Sequence, residues 1–160
     1  MSEPLEGRLV AICSSPGGLP KIPLLMARVH ELGLEGDGHR FHLHGGRDRA
    51  LCLLSDEEAG WLERDGVQPT APGTFGENLR TAGLDYRRLK PGDRLRVLQG
   101  TEPAEGDVLI ELFDVRAPCR TLKSVDERFP DLMVGRSGFV ARVLRGGELR
   151  PGMSVRVETT

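Results

Sequence analysis

Three cysteines stand at positions 13, 52 and 119, and their settings differ. Cys119 follows Pro118 and lies between Arg116 and Arg120. Two nearby guanidinium groups favour a thiolate over a thiol, and thiolates need an electropositive, partly exposed setting. Pro118 removes a backbone donor and breaks a strand ladder, which exposes the side chain that follows. The competing reading of a lone cysteine is a small buried apolar residue, and the flanking charges weigh against it here. Cys13 and Cys52 sit inside the apolar runs VAICSS and ALCLL and are expected in the core. An odd number of cysteines without CxxC spacing gives neither a disulfide framework nor a zinc knuckle.

Polar chemistry concentrates in two further stretches. His39, His42 and His44 fall within six residues, just after Asp37. They offer metal ligands, or they form a solvated polar loop. No Cys stands at ligand spacing to favour zinc. His44-Gly45-Gly46 is followed by Arg47 and Arg49. Paired glycines let backbone N–H groups approach an anion closely, so this loop is a candidate phosphate cradle, although it matches neither GxGxxG nor the P-loop. The second stretch is Gly73-Thr74-Phe75-Gly76-Glu77-Asn78-Leu79. Its Glu-Asn pair either closes an Asx-type turn or presents a carboxylate and an amide to a polar ligand. Arg136-Ser137-Gly138 is a weaker anion-binding turn. No GxSxG supports serine catalysis.

The elements that position these residues are short. Gly and Pro number 21 and 11 of 160, one residue in five against a usual share of about 12%. Leu, Val, Phe and Ile supply 43 residues, too many for a disordered chain. Strands are expected over Gly7 to Ser15, Met26 to Leu32, Arg49 to Leu54, Asp93 to Leu98, Asp107 to Phe113, Gly138 to Leu144 and Leu149 to Glu158. Leu19 to Pro23 reads as loop or edge, Phe75 to Thr81 as short and irregular, and Gly146-Gly147 as a tight turn. Ser55 caps a helix that runs to about Arg64, with Asp56, Glu57 and Glu58 in its first turn, and Ser124 to Phe129 offers one helical turn. Leu89 to Leu95 and Leu149 to Val155 each place a Pro-Gly turn before an alternating strand. The expected fold is mainly β: a closed or nearly closed β-barrel with one or two short helices, in one domain spanning 1–160. A sandwich is the rival.

Charge narrows the function classes. Lys and Arg total 22 against 24 Asp and Glu, for a net charge of −2, so a generic nucleic-acid surface is not expected. Of the 22 bases, 19 are Arg; genomic base composition produces such a bias, and Arg forks also suit phosphate or carboxylate. No stretch approaches the ~20 apolar residues of a membrane span. Met1 to Gly7 lacks a signal-peptide core, so a cytoplasmic protein without membrane association is expected.

Taken in order, Gly33-Leu34-Glu35-Gly36-Asp37, His44-Gly45-Gly46, Gly73 to Leu79, Leu89 to Asp93, Pro118-Cys119 and the Gly135 to Gly152 tail resemble the MOSC family. These are the C-terminal domains of molybdenum cofactor sulfurases and their free-standing relatives. The resemblance implies a barrel-like fold with one functional cysteine, here Cys119, as catalytic residue and metal ligand. It implies a molybdopterin-type molybdenum cofactor, with His44, Gly45, Gly46 and Arg47 at its phosphate. Thr74, Phe75, Glu77, Asn78 and Arg116 would bind elsewhere on the cofactor or substrate. One activity it implies is reduction of small N-hydroxylated compounds, with an external flavin or iron–sulfur protein as electron donor. The other is a sulfur carrier that holds a persulfide on Cys119, supplied by a cysteine desulfurase. Relatives fused to an aminotransferase-like domain use pyridoxal phosphate. None of the three lysines here sits in a motif, so pyridoxal phosphate is not expected.

Overall fold

The computed structural model describes residues 5–38, 46–118 and 120–158. Seven strands close a barrel: β1 (Glu6–Ser14), β5 (Leu51–Ser55), β6 (Leu79–Ala82), β7 (Arg94–Val97), β8 (Val108–Val115), β9 (Phe139–Arg145) and β11 (Ser154–Glu158). Their order around the barrel is β1-β11-β7-β8-β9-β5-β6, and β6 returns to β1. All neighbours are antiparallel except β5 and β6, which run parallel. β2 (Ile22–Leu24) adds an edge outside β1. A separate three-stranded sheet joins β3 (Ala27–His30), β4 (Gly33–Leu34) and β10 (Gly147–Leu149).

The barrel closes because apolar residues from every strand point inward. Leu9, Ile12, Leu51, Leu53, Leu79, Leu95, Ile110, Leu112, Ala141 and Val155 form one buried cluster. Burying each large side chain there contributes roughly 1.5–3 kcal/mol. The two Pro-Gly turns feed β7 and β11, which pair with each other from Val155–Val97 to Glu158–Arg94.

The helix α1 (Asp56–Arg64) starts as expected. Ser55 accepts from the Glu58 amide and Glu58 reaches back to the Ser55 amide, forming a capping box. The helix buries Ala59 and Leu62 in a second apolar cluster with Leu54, Phe75, Leu122, Phe129 and Met133. This cluster lies on the outer side of β5, since Leu51 and Leu53 face the barrel interior.

Three expectations are corrected. Phe75 to Thr81 is not wholly irregular, because it ends in β6. Every residue from 73 to 82 is buried, so β6 shows no polar–apolar alternation. Gly146-Gly147 does not turn the chain back on β9; it carries it to the second sheet, where Gly147 pairs with Val29. The helical turn falls earlier than Ser124, as a 3-10 turn over Arg120–Ser124, with another at Asp131–Met133. Among the described residues, no helix is long and apolar enough to cross a membrane.

Candidate functional site

The parallel junction of β5 and β6, with β1 on its other side, aligns Cys13, Asn78 and Cys52 across three strands. Their inward neighbours Ile12, Leu79 and Leu53 are in the barrel core. The outer face at this level carries the polar groups. Asn78 binds Cys52 through both its amide N–H (to O, 2.8 Å) and its Oδ1 (from N, 2.9 Å). Its carbonyl accepts from the Cys13 amide at 2.7 Å, and its Nδ2 donates to the Cys13 carbonyl at 3.2 Å and to Asp37 Oδ2 at 2.9 Å.

Asp37 is a hub. Its Oδ1 accepts from the Ser15 amide at 3.0 Å, and Lys21 Nζ donates to its two oxygens at 2.8 and 2.7 Å. The side chains of Lys21 and Asp37 are only 9% and 2% exposed, so this ion pair is buried and each partner depends on the other. The pair ties the loop after β1 to the segment that leads into the histidines. Gly73 completes the packing. Its φ is +92°, and a Cβ there would stand 1.9 Å from the Lys21 carbonyl oxygen.

Glu77 and Arg80 form a second buried pair. Arg80 Nε donates to Glu77 Oε2 at 2.8 Å, and its other nitrogens reach Asp56 and the carbonyls of Thr70 and Ala71. Glu77 Oε1 accepts from the Phe75 amide at 3.2 Å. Phe75 turns its ring into the second apolar cluster, edge-on to Phe129 at 5.9 Å, and offers its carbonyl to Arg116 Nη2. Thr74 is buried beside it.

Arg116 differs from the other two cations. Its Nη2 is held by Phe75 and lies 3.6 Å from where a Gly76 Cβ would stand, whereas its Nη1 is buried without a hydrogen-bond partner among the described residues. Lys21 and Arg80 each pair with a carboxylate; Arg116 forms no such pair among the described residues.

The core expectation holds for Cys13 and only in part for Cys52, and neither belongs to either apolar cluster. Cys13 has no exposed surface, while Cys52 is half-buried. Burial pushes the Cys13 thiol up to about 11, with Glu77 adding to the rise and Arg80 and Lys21 opposing it. Burial also raises the Cys52 thiol above its ordinary range, with Arg116 the main opposing influence. Both are therefore protonated and weakly nucleophilic at neutral pH.

Thus the structure brings together Thr74, Phe75, Glu77, Asn78 and Arg116. Gly46 and Arg47 stand apart from them: Gly46 is exposed, and Arg47 pairs with Glu31 on the surface. His39, His42, His44, Gly45 and Cys119 lie outside the described residues. Among the described residues, no group of three or more His, Cys, Asp or Glu side chains is placed to hold a metal ion. Sequence reasoning passed over Lys21 and Arg80. Lys21 stands alone between two prolines, and Arg80 is a buried cation in a strand without alternation, so neither carried a local signal.

The chain matches the MOSC domain over residues 40–156. It belongs to the MOSC domain family. This MOSC protein is 30% identical over 146 residues to uncharacterized protein YflK of Bacillus subtilis, covering 88% of this chain and 62% of that protein. It is 38% identical over 97 residues to protein YiiM of Escherichia coli, covering 58% of this chain and 39% of YiiM. The chain thus spans less than two thirds of the length of these curated relatives. The crystal structure of Escherichia coli YiiM superposes with a TM-score of 0.73 at 25% identity, covering 98% of this chain and 71% of that one. The YUAD protein of Bacillus subtilis matches over the full length of both chains, with a TM-score of 0.77 at 18% identity, a likeness of fold alone.

Proposed function

We propose that this MOSC protein binds a molybdenum pterin through Cys119 and serves as a reductase of small N-hydroxylated compounds. The observation that carries the reading is Arg116. Its guanidinium has one buried nitrogen without a partner among the described residues, while the neighbouring cations are already neutralised. A buried charged donor requires an acceptor, and a phosphate oxygen supplies one in charge-assisted geometry. The residues present therefore fit an anionic, phosphate-bearing group, and family membership supports its being the molybdenum pterin. Arg116 stands three residues before Cys119, whose thiolate is a soft ligand suited to a sulfur-ligated metal.

When bound, the molybdenum pterin supplies the two-electron redox chemistry. Overall, an N–OH group, two electrons and two protons become N–H and water. An external flavin or iron–sulfur protein delivers the electrons, because the sequence carries no second redox motif. The chain's own residues bind and position. Arg116 holds the anion, and Cys119 holds the metal. Asn78 ties Cys13, Cys52 and Asp37 together. Glu77, fully buried on Arg80, supports the Phe75 turn from inside.

Reduction of a hydroxylamine with an artificial electron donor tests this reading. Turnover by protein isolated from cells that make the cofactor, abolished in Cys119→Ser, is the expected result. Equal turnover by Cys119→Ser contradicts it.

A further inference from the structure

Arg116 reaches across the strand that carries Cys52. It directly follows β8, and its amide donates to the Gly138 carbonyl at 3.0 Å, just before β9 begins. Its Nη2 nevertheless bonds the Phe75 carbonyl, in the segment that leads into β6. The strand order here is β8-β9-β5-β6, so the side chain passes over the outer face of β5. Gly138 fixes the level of the crossing, because a Cβ there would stand 1.8 Å from the Leu53 carbonyl oxygen.

Leu51 and Leu53 face the barrel interior, so the outward side chains that flank the crossing are Cys52 and Leu54. They make different surroundings. Leu54 belongs to the second apolar cluster with Phe75, Leu122 and Phe129, and that side is filled. Cys52 belongs to neither cluster, and both it and its cross-strand neighbour Val140 are half-buried. The open side of Arg116 is the Cys52 side.

The charges agree with this placement. Burial raises the Cys52 thiol, and Arg116 is the largest charge opposing the rise. The other charged groups acting on the thiol are committed: Glu77 to Arg80, Lys21 to Asp37, and Glu58 to Ser55 and Gly138. Of this set only Arg116 keeps a buried nitrogen, Nη1, without a partner among the described residues. A protonated thiol beside it is small and uncharged, so it neither fills the space nor neutralises the guanidinium.

We infer that Cys52 is the wall of the anion site at Arg116, its small size and neutrality admitting a tetrahedral oxyanion of the phosphate type, free or carried on a larger molecule. The inference deepens the reading above and rests on Arg116 as the anion holder. Binding of inorganic phosphate to the full, cofactor-free chain, measured by equilibrium dialysis at constant ionic strength, tests it. One phosphate per chain is expected, bound about tenfold or more weakly by Arg116→Gln, the loss that follows removal of a charged hydrogen bond. Cys52→Met lengthens the wall into the site and weakens binding by a similar factor. Cys52→Asp hands Arg116 a carboxylate, so it folds and also loses phosphate. Cys13→Ala, in the same row two strands away, leaves binding in place. Wild-type protein that binds no phosphate overturns the inference, as does equal binding by Cys52→Met or weakening shared by Cys13→Ala. If Cys52→Met does not fold, Cys52→Asp decides: its failure to fold, or its binding phosphate as the wild type does, overturns the inference. The hydroxylamine assay judges the molybdenum reading separately. Turnover that depends on Cys119 beside phosphate binding indifferent to Cys52 removes the inference alone. Absent turnover beside phosphate binding that responds to Cys52 removes the molybdenum reading and keeps the anion site.

Discussion

Asn78 joins β1, β5 and the Asp37 loop through three side-chain hydrogen bonds, so its removal is felt in all three. Asn78→Leu keeps the branched shape but leaves the Cys52 amide and the Cys13 carbonyl without those bonds and Asp37 with one donor fewer. Stranding buried polar groups costs about 1–3 kcal/mol each, and a total loss of roughly 2–4 kcal/mol is expected in chemical denaturation. The cysteines give a second prediction. Cys13 is pushed up to about 11 and Cys52 is raised by burial, whereas Arg116 and Arg120 flank Cys119. In a pH series of alkylation, Cys119 reacts first, with a midpoint below that of an ordinary thiol. Cys13 and Cys52 resist until the pH is strongly alkaline or the protein unfolds. A Cys119 profile matching a free thiol contradicts this. At this scale the sequence displayed Arg116 and the Glu77-Asn78 pair through local spacing and charge, while Cys119 lies outside the described residues. The sequence concealed the partners of Lys21 and the Gly138 contact of Glu58, because these stand 16 and 80 residues away and long-range pairing leaves no local pattern.

Among the elements, α1 was legible almost to the residue. Ser55 and three successive acids announce a helix start, and both halves of the capping box are present. β6 was hidden for the converse reason: its outer face is covered by the Arg80 pair and α1 contacts, so nothing alternates. The Arg136-Ser137-Gly138 turn was recognised as a turn, but its long-range contacts were not, because the Leu53 carbonyl that requires glycine at 138 belongs to a distant strand. Gly138→Ala places a Cβ on that carbonyl at a left-handed φ. A loss of roughly 3 kcal/mol or more is expected, read as a lower melting temperature with a smaller effect from alanine at the open Gly135.

For the whole molecule, the strand count and the short turns pointed to a barrel, and the barrel is closed. What the sequence could not display is the order of strands, in particular the parallel β5–β6 contact that sets Cys13, Asn78 and Cys52 in one row. Closure depends on β11, which pairs with both β7 and β1. Val155, 1% exposed on that strand, points into the core. Val155→Asp buries an unpaired carboxylate at the closing seam, which costs several kcal/mol against a typical total of about 5–15 kcal/mol. Loss of cooperative thermal unfolding is expected, and a wild-type transition would count against closure through β11. At the level of function, we propose that Cys119 and Arg116 hold a molybdenum pterin. Its most direct test is metal and pterin content of protein purified from cells that make the cofactor. Molybdenum and pterin are expected in stoichiometric amounts in the wild type, both lost in Cys119→Ala. Wild-type protein without molybdenum, carrying cyanide-releasable sulfur on Cys119, would contradict it and identify a sulfur carrier instead.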